Sequence, residues 1–220
     1  AVQARELTQS QTQIQNQIEK VSDHLFEKGA MVIPGEIGYD LNYYAVKLTS
    51  IASANTLAQF TTDTVLTGGS SGVKARIMGT DALSGSDPDT LYVKYNDSGT
   101  NNTNTAFAHG ETITGTNSDS VSLSAVVATC HTGSAAQVEE GTYYINGYHV
   151  QVSKQTIVLD KYTNTPSYRV GLLVTESFVT PNDDASLNDN ATGSSNVNAP
   201  GAHRFKIDLT LTKKTIKNLW

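Results

Sequence analysis

Apolar side chains recur at Leu7, Ile14, Ile18, Val21 and Leu25, separated by seven, four, three and four residues. That spacing predicts an amphipathic helix from Ala4 to about Lys28, and a narrow one. Written as a heptad, Leu7, Ile14 and Val21 take d positions, Ile18 and Leu25 take a positions, and the remaining a position holds Gln11. The other faces carry Gln9, Gln13, Gln15, Asn16, Gln17, Glu19 and Lys20, which suit water and not the core of a monomer. A stripe this narrow has little to bury against except copies of itself. The helix is therefore expected to form a coiled coil through Leu7, Gln11, Ile14, Ile18, Val21 and Leu25, with Gly29 just past its C-terminus.

Beyond Gly29 the periodicity changes to two. Tyr39, Leu41 and Tyr43 alternate with Asp40 and Asn42, then Tyr44, Val46 and Leu48 take up the other phase. That switch implies a bulge or a strand covered on both faces. Short alternating runs follow at Val73–Ile77, Leu91–Tyr95 and Val121–Ala125, separated by loops such as Ser84–Asp89 and Asp97–Asn102. Tyr143–Ile145, Asn146-Gly147 and Tyr148–Val152 read as a hairpin, because Asn-Gly accepts the positive φ angles of a type I′ turn. Further strands are expected at Thr156–Leu159 and Tyr168–Glu176, and a half-buried one at His203–Thr212. Hydrophobic content of 38% and charged content of 16% fit short strands and turns. The expected fold is mainly antiparallel β with an N-terminal coiled-coil helix (1–29). A discontinuous β-domain (30–50 and 137–220) would be interrupted by a small inserted β-domain (51–136).

The search for chemistry gives little. Five histidines, His24, His109, His131, His149 and His203, are scattered without metal-ligand spacing, and the one cysteine, Cys130, cannot form an internal disulfide. Gly68-Gly69-Ser70-Ser71-Gly72-Val73-Lys74 superficially resembles a phosphate loop, but a strand follows it rather than a helix N-terminus, so it reads as a turn. Asp183, Asp184, Asp189 and Asn190 gather oxygens in the long polar loop Pro181–Gly201, yet without the order or the glycine of an EF-hand. Glu139-Glu140 and Asp183-Asp184 are neighbours in sequence and diverge in extended chain, unlike a glycosidase pair. The chain is not expected to be an enzyme, and no cofactor or metal is expected. A net charge of −6 without a basic cluster argues against nucleic acid, and no apolar run approaches the ~20 residues that span a bilayer.

Several blocks resemble a known class. The opening Ala1–Gln9 with Gln11 and Gln15–Glu19, the run Tyr39–Leu48, the run Gly141–Tyr148, and Asp189–Ala191 through Pro200–Arg204 look like segments of tail-fibre-like and baseplate-associated virion proteins. These belong to contractile-tailed phages, cyanophages especially. The middle region shares a Ser-Gly turn, here Ser71-Gly72-Val73, and a Phe-x-x-Gly-Glu-x-Ile pattern, here Phe107–Ile113.

The resemblance implies a structural protein of a phage tail, located in the virion. It would be the baseplate-proximal part of a fibre, or a baseplate or fibre adaptor, acting in assembly and host attachment. Its partners would be itself, as a homotrimer, and other tail proteins. The competing expectation is a carbohydrate-binding module that recognises a host glycan through Tyr and Asn side chains. A loop as long as Pro181–Gly201 is expected to be ordered by a neighbouring subunit or another tail protein, with Asp189 and Asn190 as polar anchors.

Overall fold

The computed structural model describes residues 4–100, 102–188 and 201–216. In chain order the elements are α1 (Ala4–Leu25), β1 (Met31–Ile33), β2 (Ile37–Ile51), β3 (Val65–Gly68), β4 (Lys74–Asp81), β5 (Thr90–Asp97), β6 (Thr112–Thr116), β7 (Ser122–Val138), β8 (Gly141–Ile145), β9 (Tyr148–Val152), β10 (Gln155–Asp160), β11 (Tyr168–Val179) and β12 (Arg204–Thr215). The chain is thus mainly antiparallel β with one N-terminal helix. Two compact units divide it. One takes in residues up to Gly38, Gln137–Ile157 and Arg169–Thr215; the other takes in Tyr39–Ala136 and Val158–Tyr168. The change of composition along the sequence places the division at 30–50 with 137–220 and 51–136. The second unit instead begins at Tyr39, because most of β2 belongs with it.

In the first unit β1, β8 and β9 form a three-stranded sheet, and β11 pairs with β12 as a ribbon. The β8–β9 hairpin turns on Asn146 (φ 46°) and Gly147 (φ 87°), with Ile145 opposite Tyr148. Both turn residues are left-handed, as the type I′ reading requires. Val138, Tyr143, Ile145, Val150, Val152 and Leu209 make the core, with Leu172, Val174, Ile207 and Leu211 packed on it. Alternation along β11 and β12 supplies those ribbon residues from one face. Gln155 fastens β12 with its amide: Nε2 donates to the Leu209 carbonyl at 2.9 Å, and Oε1 accepts the Leu211 N–H at 2.8 Å. One side chain thereby satisfies two backbone groups that would otherwise face a gap in the ladder.

In the second unit the strands follow the order β7-β2-β5-β4-β3-β6, and β6 pairs back to β7. The ring therefore closes into a six-stranded antiparallel barrel, with β10 laid along another part of β7. Its interior is filled by Val46, Leu48, Phe60, Leu66, Val73, Ala75, Ile77, Leu91, Val93, Ile113, Leu123, Ala125 and Val127, among others. The change of phase in β2 has a simple cause. Tyr44, Val46 and Leu48 face the barrel interior, while Tyr43 and Ala45 pack outside with Tyr92, Ala135 and Val158. The strand is covered on both faces, and its pairing with β5 runs from Tyr44↔Val93 to Lys47↔Thr90 without a shift. Before that point the outer residues Ile37, Tyr39 and Leu41 remain exposed.

Amides again close the gaps between strands. Past the end of β2, Asn55 donates to the Ser122 carbonyl at 2.9 Å and accepts the Ser124 N–H at 3.0 Å. Asn117 holds the β6–β7 turn by accepting the N–H groups of Asp119 and Val121, both at 3.0 Å. Gly133 has no room for a side chain, since a Cβ there would meet the carbonyl oxygens of Tyr43, Asp160 and Lys161 at 2.7 Å. That close approach is why this stretch of β7 carries a glycine.

Candidate functional site

The helix docks on its own unit through a face different from its apolar stripe. Gln15 Nε2 donates to the Gly147 carbonyl at 3.0 Å, and the Tyr144 hydroxyl bonds Asp23 Oδ1 and, at 3.4 Å, the Glu19 carbonyl. The Phe26 ring lies 6.0 Å from Tyr144 and 6.1 Å from His149, and Ser22 is buried. Gln15, Glu19, Ser22 and Phe26 recur at intervals of four, three and four, which is one helix face. These are the b and e positions of the heptad. Burial first, then Asp23, pushes the Tyr144 phenol up to about 12.

The helix ends at Leu25, earlier than the expected Lys28. Gly29 (φ 86°) lies beyond the end rather than closing the last turn, and its N–H donates to the Tyr144 carbonyl at 2.8 Å. A hairpin bond thus takes over where the next helical turn would be.

The a/d stripe is left open. Leu7 is 59% exposed, Ile14 58%, Ile18 44%, Val21 61% and Leu25 67%, all far above what a core position shows. The structure thus brings together Leu7, Gln11, Ile14, Ile18, Val21 and Leu25 as one face of a docked helix. Asp189 and Asn190 lie outside the described residues. The start of their loop is tied locally: Asp183 accepts the N–H and hydroxyl of Thr180, and Asp184 accepts the Ser186 N–H. Those bonds hold both carboxyls below the ordinary range.

Two motifs that are far apart in sequence meet in the barrel. The Glu111 carboxylate sits in the Gly68–Gly72 turn, accepting the N–H groups of Ser70 at 3.1 Å, Ser71 at 2.9 Å and Ala108 at 2.6 Å. The hydroxyls of Ser70 and Ser71 complete the cradle at 3.0 and 2.9 Å. Burial pushes this carboxyl up, but the N–H and hydroxyl donors outweigh it and hold it below the ordinary range. The loop that superficially resembles a phosphate loop does bind an anion, and the anion is the chain's own Glu111.

A second polar cluster pins the 84–89 loop. Asp87 pairs with Lys47 at 3.1 Å and Lys161 at 3.0 Å and accepts the Tyr162 hydroxyl; Lys161 also meets Asp81 at 2.6 Å. Lys47 lies 4.2 Å over the Tyr162 ring. The Tyr162 hydroxyl, then Lys161, holds Asp87 far below the carboxylate range, and Asp81 leads in raising Lys161. Charges this well matched favour the ionised forms, which suits fastening rather than proton transfer.

The remaining sequence candidates separate. Cys130 receives the Tyr95 hydroxyl at 3.5 Å, and burial pushes its thiol up, away from the reactive thiolate. His109 bonds the Ala128 carbonyl, His131 bonds Thr129 at 3.0 Å, and His149 packs on Tyr144. Among the described residues no group of three or more His, Cys, Asp or Glu could hold a metal ion, and no helix is long and apolar enough to cross a membrane.

The architecture is that of a β-rich protein with a helix docked on a hairpin. Residues 79–218 match the family described as Domain of unknown function (DUF4815), and the chain belongs to that family. No curated protein and no solved structure matches the chain. The matched region begins inside β4, so the helix and the first barrel strands precede it.

Proposed function

We propose that this chain is a non-enzymatic structural protein of a phage tail, the baseplate-proximal part of a fibre or an adaptor, which assembles as a homotrimer through α1. The single observation behind the assembly is the division of labour on the helix. Its b and e face is engaged with the β8–β9 hairpin, while the apolar a and d face is uncovered along its whole length. Covering the exposed part of each seam residue is worth on the order of 1 kcal/mol. The placement in a virion rests on the sequence resemblance alone.

The mass of the full chain in solution tests the assembly. A three-copy particle is expected, and Ile14→Asp with Ile18→Asp should return it to a folded single chain. A wild-type protein that remains a single chain at high concentration would remove the proposal. Immunogold labelling of purified particles addresses location, with label on the tail expected.

The alternative reading, a carbohydrate-binding module, has one observation in its favour. A groove of about 420 Å³ places Tyr148 beside the amides of Gln11, Gln15 and Asn16, a ring and hydrogen-bond set suited to a sugar. Retention on a glycan array by the double seam variant, with no change in mass on mutation, favours this reading over the first.

A further inference from the structure

We infer that the Tyr148 groove is the head of a longer site, in which Tyr148, Phe205 and Phe178 form a stacking track for a linear chain of uncharged sugars. The proposal rests on the sugar reading of that groove and extends it in length, in ligand class and in the line along which the chain lies. All of the residues involved belong to the first unit.

The track follows from strand alternation. Tyr148 stands two residues before Val150 and four before Val152 in β9, Phe205 stands two before Ile207 in β12, and Phe178 stands four after Val174 in β11. Alternate residues of a strand share a face, so the three rings lie on the faces that carry the core residues Val150, Val152, Ile207 and Val174. At this end the core runs out. Tyr148 is 39% exposed, Phe205 42% and Phe178 67%. The rings nevertheless touch, with centroids 5.5 Å apart from Tyr148 to Phe205 and 5.6 Å apart from Phe205 to Phe178. Successive tilts of 51° and 55° make them a twisted row rather than a flat stack.

Exposed rings in a continuous row mark a binding surface, and the groove at its head says of what kind. Gln11, Thr12, Gln15 and Asn16 line that groove beside Tyr148. Amides and hydroxyls both donate and accept, which matches sugar hydroxyls, while the weakly positive C–H face of a pyranose packs on the negative face of an aromatic ring. An apolar protein side chain would use the rings but leave those amides dry and unpaired, at a cost. The charged side chain in the lining is Glu19, a carboxylate. A second carboxylate, Glu176, accepts from Asn146 Nδ2 at 3.3 Å, two residues before Tyr148. Carboxylates in these places repel uronic, sialic and sulfated sugars and tolerate neutral ones.

The groove is set before any sugar arrives. Gln15 is bonded to the Gly147 carbonyl and the Tyr144 hydroxyl to Asp23, so the helix wall is held on the hairpin and little ordering is left to binding. Thr12, Gln15, Asn16 and Glu19 lie off the a and d stripe. Groove and seam are therefore separate faces of the helix that meet only at Gln11.

The test is calorimetric titration of the full-length protein with disaccharides and hexasaccharides of the cello, chito, malto and manno series, and with polygalacturonate. A neutral hexasaccharide should bind more tightly than its own disaccharide and more tightly than polygalacturonate. Phe178→Ala, at the most exposed ring of the row, should weaken the hexasaccharide about tenfold or more while leaving the disaccharide unchanged. Tyr148→Ala should weaken both, each variant keeping the wild-type far-UV spectrum. Wild-type hexasaccharide affinity in Phe178→Ala, or tighter binding of polygalacturonate, would overturn the inference while leaving a sugar site at the groove. A changed native mass in Phe178→Ala would assign the row to contact between copies and overturn it as well. A wild-type protein that binds none of these sugars removes the underlying sugar reading instead, so the two failures are distinct.

Discussion

The Glu111 carboxylate lies against Ser71, taking that residue's N–H and hydroxyl at 2.9 Å each. With Ser70 and Ala108 contributing as well, one acidic side chain holds together the β3–β4 turn and the approach to β6. Glu111→Ala would leave three N–H groups and two hydroxyls facing a void. The expected cost is about 3 kcal/mol or more, read from chemical denaturation of the full chain. Glu111→Gln should recover part of the loss, because one amide oxygen still accepts. Equal stability of wild type and the alanine variant would show that water replaces the carboxylate freely.

Acid should loosen the barrel. Asp87 and Glu111 both have native pKa values below the ordinary carboxylate value. Groups depressed in this way stabilise fully above the unfolded value of about 4 and lose that stabilisation as pH falls through the lower native value. The melting temperature is therefore expected to be flat from about pH 6 to 8 and to fall below about pH 4. Asp87→Asn should be less stable at neutral pH and show a shallower acid decline. An identical decline in the variant would remove Asp87 as its source.

Gly147 carries two constraints at once. Its φ is +87°, and a Cβ would meet Glu19 Cγ at 2.9 Å and Cβ at 3.1 Å. Gly147→Ala should cost about 1–2 kcal/mol in backbone strain alone and push the helix from the hairpin. Hydrogen exchange along Gln15–Phe26 should accelerate in the variant. Unchanged exchange there would mean that the Tyr144–Asp23 contact suffices to hold the helix.

Much of the architecture was legible because it is written in local periods. The seam spacing locates α1, Asn146-Gly147 gives the hairpin, and the two-phase pattern of Tyr39–Leu48 reports a strand with neighbours on both faces. The closing of the barrel was not legible, since β6 meets β3 and β7 through pairings that no alternation encodes. The site was readable in the same proportion. Leu7 through Leu25 announce an apolar face, but the docking face Gln15, Glu19, Ser22 and Phe26 is mostly polar and leaves no hydrophobic signature. Glu111 and Ser71 each stood in a recognised motif, and only the fold brings the two into contact. Lys161 and Tyr162 meet Asp87 through an ion pair and a hydrogen bond whose partners sit far apart in sequence, so charge counting alone misses them.

Closure of β6 onto β7 has a consequence for crowding. Wherever β-rich chains crowd together, any row of unpaired N–H and C=O groups would template growth from one copy to the next. A ring of six strands presents no such row along its own circumference. Copies can therefore be packed side by side while each barrel keeps its hydrogen bonds to itself, and amyloid-like fusion of neighbouring rings is denied a starting point.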